Sequence, residues 1–180
     1  DTNENDLLED FLKKLNVEVF RGSENDVLKR YFEACNVYKP KSIMRITSDC
    51  PLFDTDVAEK LIHLFISKKL DYISNNLEPT WPHGLDIEIF SRKILNHAFR
   101  HSKNNYEREH VTPWIRNLKT IKKSNLKCNL NLNLKIRLTI DYEEDYKFFK
   151  AIAKKIDKDF SKISIFDIQE LINKNPELLK

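Results

Sequence analysis

The segment from Leu130 to Ile140 constrains the fold more than any other part of the chain, because its side chains alternate strictly between apolar and polar. A period of two is that of a β-strand with one buried face. After Asp141 the spacing changes, and apolar residues from Tyr146 to Ile156 recur at the period of a helix. The sequence therefore predicts a long strand, a junction at Asp141 and a helix, which is a unit of an α/β fold.

A second junction of the same kind lies at Asp49. The apolar residues around 43–47 predict a buried strand, and Asp54 or Asp56 can cap the helix that follows. A carboxylate at such a strand end can hold Mg²⁺ against a triphosphate. The alternative is that Asp49 only caps a turn and that Asp141 only caps its helix.

The other elements continue the alternation of β and α, which predicts a single α/β domain over residues 1–180. Strands are expected at 17–20, 71–74 and 86–90. Three serines precede helical patterns and are expected to cap them, the first and last with an aspartate three residues on: Ser23, Ser91 and Ser164.

Charge and cysteine content exclude several classes. The net charge is +3 with no sustained basic stripe, which argues against a nucleic-acid partner; the lysines around Ile121 are interpreted as a solvated loop. Cys35, Cys50 and Cys128 are an odd, widely spaced set, which favours a reducing, cytoplasmic setting. No apolar run approaches the roughly 20 residues that span a bilayer, so no membrane association is expected.

Five motifs, in this order, resemble those of the SpsF-like cytidylyltransferases of spore coat polysaccharide biosynthesis. They are VFRGSENDVL at 19–28, RITSDCPL at 45–52, GLDIE at 84–88, REHVTP at 108–113 and LTID at 138–141. That family is similar to the synthetases of CMP-activated acidic sugars. The resemblance implies a Rossmann-like, three-layer nucleotidyltransferase sheet of the nucleotide-diphospho-sugar transferase type.

The resemblance also implies a reaction, in which an acidic sugar's anomeric hydroxyl attacks the α-phosphate of CTP and releases pyrophosphate. Asp49 and Asp141 match the family's two aspartates that bind Mg²⁺, in agreement with the strand-end argument. Arg21 would suit a phosphate or the sugar carboxylate, since its planar fork gives paired bonds. Ser23 is either a hydroxyl ligand or only a helix cap.

Further residues are expected at the acceptor site. Asp86 and Glu88 share one face of the expected strand, so both could face the sugar or both could be structural. Arg108 and His110 could bind the acceptor's carboxylate, although a histidine satisfied by backbone carbonyls is as economical. His83, in a loop with two prolines and a glycine, is a further candidate.

The chain departs from the family at its start, where the family has a strand and a loop that holds the triphosphate. Only Gly22 and Gly84 are present, and no glycine-rich phosphate motif occurs. We therefore expect a sheet without its first βα unit, and activity that could be incomplete in this chain. Such a sheet would expose apolar surface, which a second copy could cover as a homodimer.

Two other functions remain open. A nucleotide-sugar-dependent glycosyltransferase shares this type of fold and a metal carboxylate, and Asp54 and Asp56 have the spacing of its strand-end motif. A non-catalytic nucleotide- or sugar-binding module would have kept the sheet without the nucleotide loop.

Overall fold

The computed structural model describes residues 3–128, 136–156 and 162–179. Its α-helices are α1 (Asp6–Lys14), α2 (Val27–Tyr38), α3 (Thr55–Ser67), α4 (Arg92–His101), α5 (Asn105–His110), α6 (Pro113–Asn117), α7 (Glu143–Lys155) and α8 (Ile165–Lys174). Its strands are β1 (Ser42–Arg45), β2 (Tyr72–Ser74), β3 (Glu88–Ser91) and β4 (Lys123–Asn125). Short 3-10 helices span Asn3–Asn5 and Pro176–Leu179.

The four strands form one mixed sheet in the order β1-β3-β2-β4. β2 is antiparallel to β3, with Ile73 opposite Ile89, and parallel to β4, with Ile73 opposite Ser124. Ile73 and Ile89 are buried against Val57 and Leu61 of α3. Helix on sheet is the packing of an α/β protein, so the predicted fold class is confirmed.

The chain divides into two compact units, each made of two segments. The first comprises residues 1–43 and 91–121, and the second 44–90 and 122–180. In the first unit, the rings of Phe32 on α2 and Phe99 on α4 stack with centroids 4.1 Å apart. The second unit holds two apolar clusters, one on the sheet and one that joins Leu138 to α7 and α8. The single domain expected over residues 1–180 stays a prediction.

Most predicted helix caps are confirmed. Asp54 caps α3 by accepting a hydrogen bond from Val57 N at 3.1 Å. Ser91 caps α4, and Ser164 forms a capping box with Asp167 on α8. Among the described residues, no helix combines the length and apolar character that a membrane crossing needs.

The predicted strand at 17–20 is wrong. The chain leaves α1 through Asn16, which has a positive φ of 57°, and Val17 N donates back to Leu12 O at 3.1 Å, so the backbone is folded onto the helix end. Ser23 does not cap α2 either. It accepts from Asp26 N at 3.0 Å, and Asp26 is the cap, accepting from Lys29 N at 2.9 Å.

The predicted long strand lies partly outside the described residues, which exclude 129–135. Over 136–140 the structure has a single β-bridge, between Arg137 and His83, and no continuous strand. Ile136 and Leu138 are buried as the alternation requires, but Thr139 is buried as well. The one-faced strand is therefore wrong here, whereas the helix after Asp141 is confirmed as α7.

The lysine-rich segment around Ile121 is not simply a solvated loop. Lys123 to Asn125 form β4, because their backbone pairs with β2. Lys123 is exposed at this outer strand. Charged side chains on an edge strand discourage pairing with other chains, which is a use for polar residues at this place in the sheet.

Gly84→Ala should destabilise the protein by about 2 kcal/mol or more. Gly84 has a φ of +99°, and a Cβ there would lie 2.2 Å from the backbone carbonyl of Leu138. Urea unfolding followed by circular dichroism measures the loss. The matched control is Gly22→Ala, whose Cβ would meet only side chains, Arg30 at 3.1 Å and Phe20 at 3.4 Å; an equal loss in both variants would contradict the prediction.

Candidate active site

The backbone brings Asp49 and Asp141 next to each other. Asp49 lies in the loop between β1 and α3, and its carbonyl accepts a hydrogen bond from Ile140 N at 2.8 Å. Asp141 is the next residue, just before α7. The side chain of Thr139 also bonds Asp49, with its Oγ1 donating to Oδ2 at 3.0 Å. Two carboxylates that are 92 positions apart in sequence thus share one hydrogen-bonded backbone junction.

Asp49 is set up to remain ionised. Burial would raise the pKa of its carboxyl, but hydrogen bonds from Thr47 and Thr139 outweigh that effect and hold the pKa below its ordinary value. Thr139, which is distant in sequence, holds the Asp49 side chain directly, so turn capping is not the only interaction of Asp49.

Cys50 is a poor nucleophile in this setting. Burial raises the pKa of its thiol, and the charges of Asp49 and Asp86 raise it further, against a hydrogen bond with Thr47 that lowers it. A thiol is reactive as the thiolate. Cys50 is therefore held in its less reactive thiol form.

Asp141 does not cap α7. The cap residue is Tyr142, and the backbone N–H groups of Asp141 and Tyr142 donate to Asp145 Oδ2 at 2.9 and 3.0 Å. The Asp141 carboxylate instead pairs with the guanidinium of Arg137. The alternative that Asp141 only caps its helix is therefore wrong, and its side chain forms an ion pair instead.

The side chains of Asp49 and Asp141 are candidates to hold a magnesium ion. Carboxylate oxygens are the ligands that Mg²⁺ prefers, and this ion usually takes one or two of them together with phosphate oxygens and water. Over the described ranges, no group of three or more His, Cys, Asp or Glu side chains could enclose a metal. An incomplete protein ligand set of this kind suits a metal that binds together with phosphates.

Arg21 lies in the first unit and is already paired. Its Nη1 donates to Asp6 Oδ1 at 2.6 Å and to Glu9 Oε2 at 2.8 Å, both on α1. It lines a cavity of about 360 Å³ together with Arg30 and part of α1. Ser23, in the same loop, bonds Asp26 N and accepts from Arg30 through its carbonyl at 3.1 Å.

Arg108 and His110 belong to the first unit as well. Arg108 donates from Nε to Asp26 Oδ2 at 3.0 Å and from Nη1 to Phe99 O at 3.1 Å, and its guanidinium lies 4.8 Å from the Phe99 ring centroid. These contacts join α5 to the start of α2 and to α4. His110 is exposed and packs edge-on against Tyr106, with centroids 4.5 Å apart.

The structure separates Asp86 from Glu88. The strand begins at Glu88 and not at 86, and Glu88 is 2% exposed, with Arg45 Nη1 at 2.9 Å and Tyr72 Oη at 2.6 Å from its oxygens. Asp86 is partly exposed and lies close enough to Cys50 to affect its thiol. His83 is exposed, and its carbonyl accepts from Leu138 N at 2.8 Å.

Sequence reasoning missed three residues that organise this site: Arg137, Thr139 and Asp145. Arg137 Nε donates to Asp145 Oδ1 at 3.1 Å while the same guanidinium pairs with Asp141. The spacing of four between Arg137, Asp141 and Asp145 was the available signal. The strict alternation from Leu130 to Ile140 conceals this signal, because it predicts that Arg137 and Thr139 lie on the polar face of a strand.

An α/β sheet with two aspartates at a shared loop junction agrees with one class of enzyme, the nucleotidyltransferases. The cytidylyltransferase family model matches residues 1–173. The chain belongs to this family and is a nucleotidyltransferase.

Individual relatives agree with the family. The chain is 34% identical over 177 residues to an uncharacterised protein of Methanocaldococcus jannaschii, covering 97% of this chain and 71% of that protein. It is 31% identical over 182 residues to the spore coat polysaccharide biosynthesis protein SpsF of Bacillus subtilis, covering 98% and 73%. The structure of a cytidylyltransferase from Leptospira borgpetersenii superposes with a TM-score of 0.93 at 34% identity, covering 99% of this chain and 75% of that one.

Thr139→Val should raise the pKa of the Asp49 carboxyl, because it removes a hydrogen bond to the ionised form while keeping the buried volume. The pKa of Asp49 is lower in the folded protein than in the unfolded one. The stability linked to its ionisation is therefore present above the ordinary carboxyl range and is lost as pH falls through the folded pKa. Carboxyl ¹³C NMR titration measures the shift. Thr139→Ser, which keeps the hydroxyl, is the control; an unchanged pKa in the valine variant would refute the role of this bond.

Glu88→Gln should destabilise the protein by about 1–3 kcal/mol, because it removes the charge that Arg45 and Tyr72 satisfy in a buried site. Asp86→Asn should change stability by no more than about 0.5 kcal/mol, since Asp86 is partly exposed. Urea unfolding of both variants provides the comparison. Equal losses of stability in the two variants would contradict the prediction that buried Glu88 contributes more to stability than partly exposed Asp86.

Proposed function

We propose that this enzyme transfers CMP from CTP to an acidic sugar, and that the product serves the synthesis of a surface polysaccharide or glycoconjugate. The observation that carries the proposal is the junction of Asp49 and Asp141, which presents two carboxylates without completing a metal site. Membership of the cytidylyltransferase family supports cytidyl transfer. The name of the Bacillus subtilis relative, a spore coat polysaccharide biosynthesis protein, supports the biosynthetic role.

In the proposed reaction the anomeric hydroxyl of the sugar attacks the α-phosphorus of CTP, and the bond to pyrophosphate breaks. Asp49 and Asp141 would hold Mg²⁺, which supplies orientation of the phosphates and charge for the in-line transition state. Thr139 fixes one oxygen of Asp49 and keeps that carboxylate ionised. The hydrogen bond between Ile140 and Asp49 holds the spacing of the two carboxylates.

The acceptor side is proposed to involve Asp86 and His83, which are accessible in the second unit. Glu88 is left out, because its buried oxygens serve Arg45 and Tyr72. Of the other candidates, Arg21 would have to exchange Asp6 and Glu9 for a phosphate or sugar carboxylate. Arg108, His110 and Ser23 stay predictions; the contacts of Arg108 and Ser23 already give them roles in local structure.

The glycosyltransferase alternative loses its main argument. Its strand-end motif would place Asp54 and Asp56 at a metal, but Asp54 is buried as the cap of α3. Its second oxygen faces Ile165 N at 3.4 Å, so both oxygens contact backbone groups. A buried carboxylate whose two oxygens already face backbone N–H groups is a poor metal ligand.

A cytoplasmic setting belongs to the same proposal, since a CTP-dependent enzyme works where CTP is made. The free state of Cys35, Cys50 and Cys128 is compatible with a reducing compartment. The homodimer also stays a prediction. Leu7, Phe11 and Leu15 of the α1 region are exposed, at 83%, 58% and 57%.

Isothermal titration of the protein with CTP, with and without Mg²⁺, tests the proposal. We expect CTP binding that needs the metal and falls at least about tenfold in Asp49→Asn and Asp141→Asn, because each variant removes a ligand charge. Asp56→Asn, an exposed aspartate at the start of α3, is the matched control and should bind like the parent.

Product formation supplies the second half of this test. Pyrophosphate release should require CTP together with an acidic sugar such as 3-deoxy-manno-octulosonate or a sialic acid. Metal-independent CTP binding that survives both aspartate variants would refute the site. Metal-dependent binding without any pyrophosphate release, over a panel of acidic sugars, would favour a non-catalytic binding module.

A further inference from the structure

Arg137 contacts the carboxylate of Asp141, one of the two proposed metal ligands. Its guanidinium pairs with the Asp141 carboxylate, and the same group donates from Nε to Asp145 Oδ1 at 3.1 Å. Nothing in the proposed reaction requires a positive side chain on a metal ligand. The pair therefore calls for an explanation beyond the metal site itself.

The guanidinium is held in place without the help of Asp141. Asp145 anchors its Nε side, and the ring of Tyr142 lies 5.5 Å from the guanidinium carbon. The backbone of Arg137 is fixed by its bridge to His83. Asp145 is fixed in turn, because its Oδ2 accepts the N–H groups of Asp141 and Tyr142. The contact with Asp141 can therefore break while the rest of the arrangement stays.

A guanidinium and a divalent cation compete for a carboxylate. Each draws on the negative charge of the same carboxylate, and the two positive charges repel at the distance of a shared ligand. The side chains of Arg137 and Asp141 are 39% and 44% exposed. An ion pair this exposed is weak enough for a metal to displace, particularly when phosphates accompany the metal.

We propose that Arg137 is an internal counter-ion of Asp141, a positioning residue that holds this carboxylate in the metal-free protein and weakens the binding of a divalent cation that arrives without a nucleotide. The inference rests on the proposed function, since it takes Asp141 as a metal ligand. Its consequence is an enzyme that binds the cation chiefly in the company of phosphates, whose negative charge offsets the positive charge of the guanidinium.

The test is the dissociation constant of Mn²⁺ alone, measured by electron paramagnetic resonance of the free ion. Arg137→Ala should bind Mn²⁺ about two- to fivefold more tightly than the parent, the range expected from losing one exposed ion pair. Arg137→Gln, which retains a donor toward Asp145, should show a gain of the same sign and guards against local unfolding in the alanine variant. Circular dichroism and thermal unfolding confirm that each variant is folded.

The sign of the change separates competition from a structural role. If Arg137 only stabilises the segment, its loss should loosen the site and weaken Mn²⁺ binding; weaker or unchanged binding in both folded variants overturns the inference. Lys147→Ala is the matched control, because it removes an equal charge from α7 where Lys147 pairs with Glu143. A gain of the same size there would attribute the effect to net charge and also overturn it.

The failure of the inference differs from the failure of the proposed function. Mn²⁺ binding by the parent should weaken in Asp49→Asn and Asp141→Asn. If it does not, the metal site is wrong and both proposals fall. If it does, but the Arg137 variants bind no more tightly than the parent, only the counter-ion role of Arg137 is refuted.

Discussion

The candidate site depends on how the segment 136–140 is attached to its neighbours. It has no continuous strand ladder, and two backbone hydrogen bonds hold it, from Leu138 to His83 and from Ile140 to Asp49, both at 2.8 Å. The first bond needs Gly84, because any side chain there would collide with the Leu138 carbonyl. The second bond places Asp141 beside Asp49. Backbone hydrogen bonds therefore bring the two residues together.

The sequence could predict the positions of Asp49 and Asp141 at strand ends, because local sequence signals mark each of them. Asp49 and Asp141 stand where a run of β-like residues gives way to a helical pattern, and such changes of period are visible in a single sequence. The caps Asp54, Ser91 and Ser164 were predictable for the same reason, since a cap bonds a backbone group only three residues away.

The sequence could not predict the partners of those carboxylates, because they depend on tertiary contacts. Thr139 looked like a solvent-facing residue, yet it is buried and bonds Asp49. Glu88 looked equivalent to Asp86, yet it packs under Tyr72 and Arg45. The predicted strand at 17–20 failed in the same way, since β-propensity forms a strand only where another strand offers its backbone groups.

Three arginines share one electrostatic pattern: Arg21 and Arg108 of the family-like motifs, and Arg137, which directly precedes the last motif. Arg21 contacts Asp6 and Glu9, Arg137 contacts Asp141 and Asp145, and Arg108 contacts Asp26. A guanidinium that already pairs with carboxylates binds a phosphate only by giving them up. The net gain in free energy is therefore the difference between the two ion pairs. For an exposed pair this difference is small, and it grows with the negative charge of the incoming phosphate group. An arginine that already has a carboxylate partner therefore favours a multiply charged phosphate over a singly charged anion.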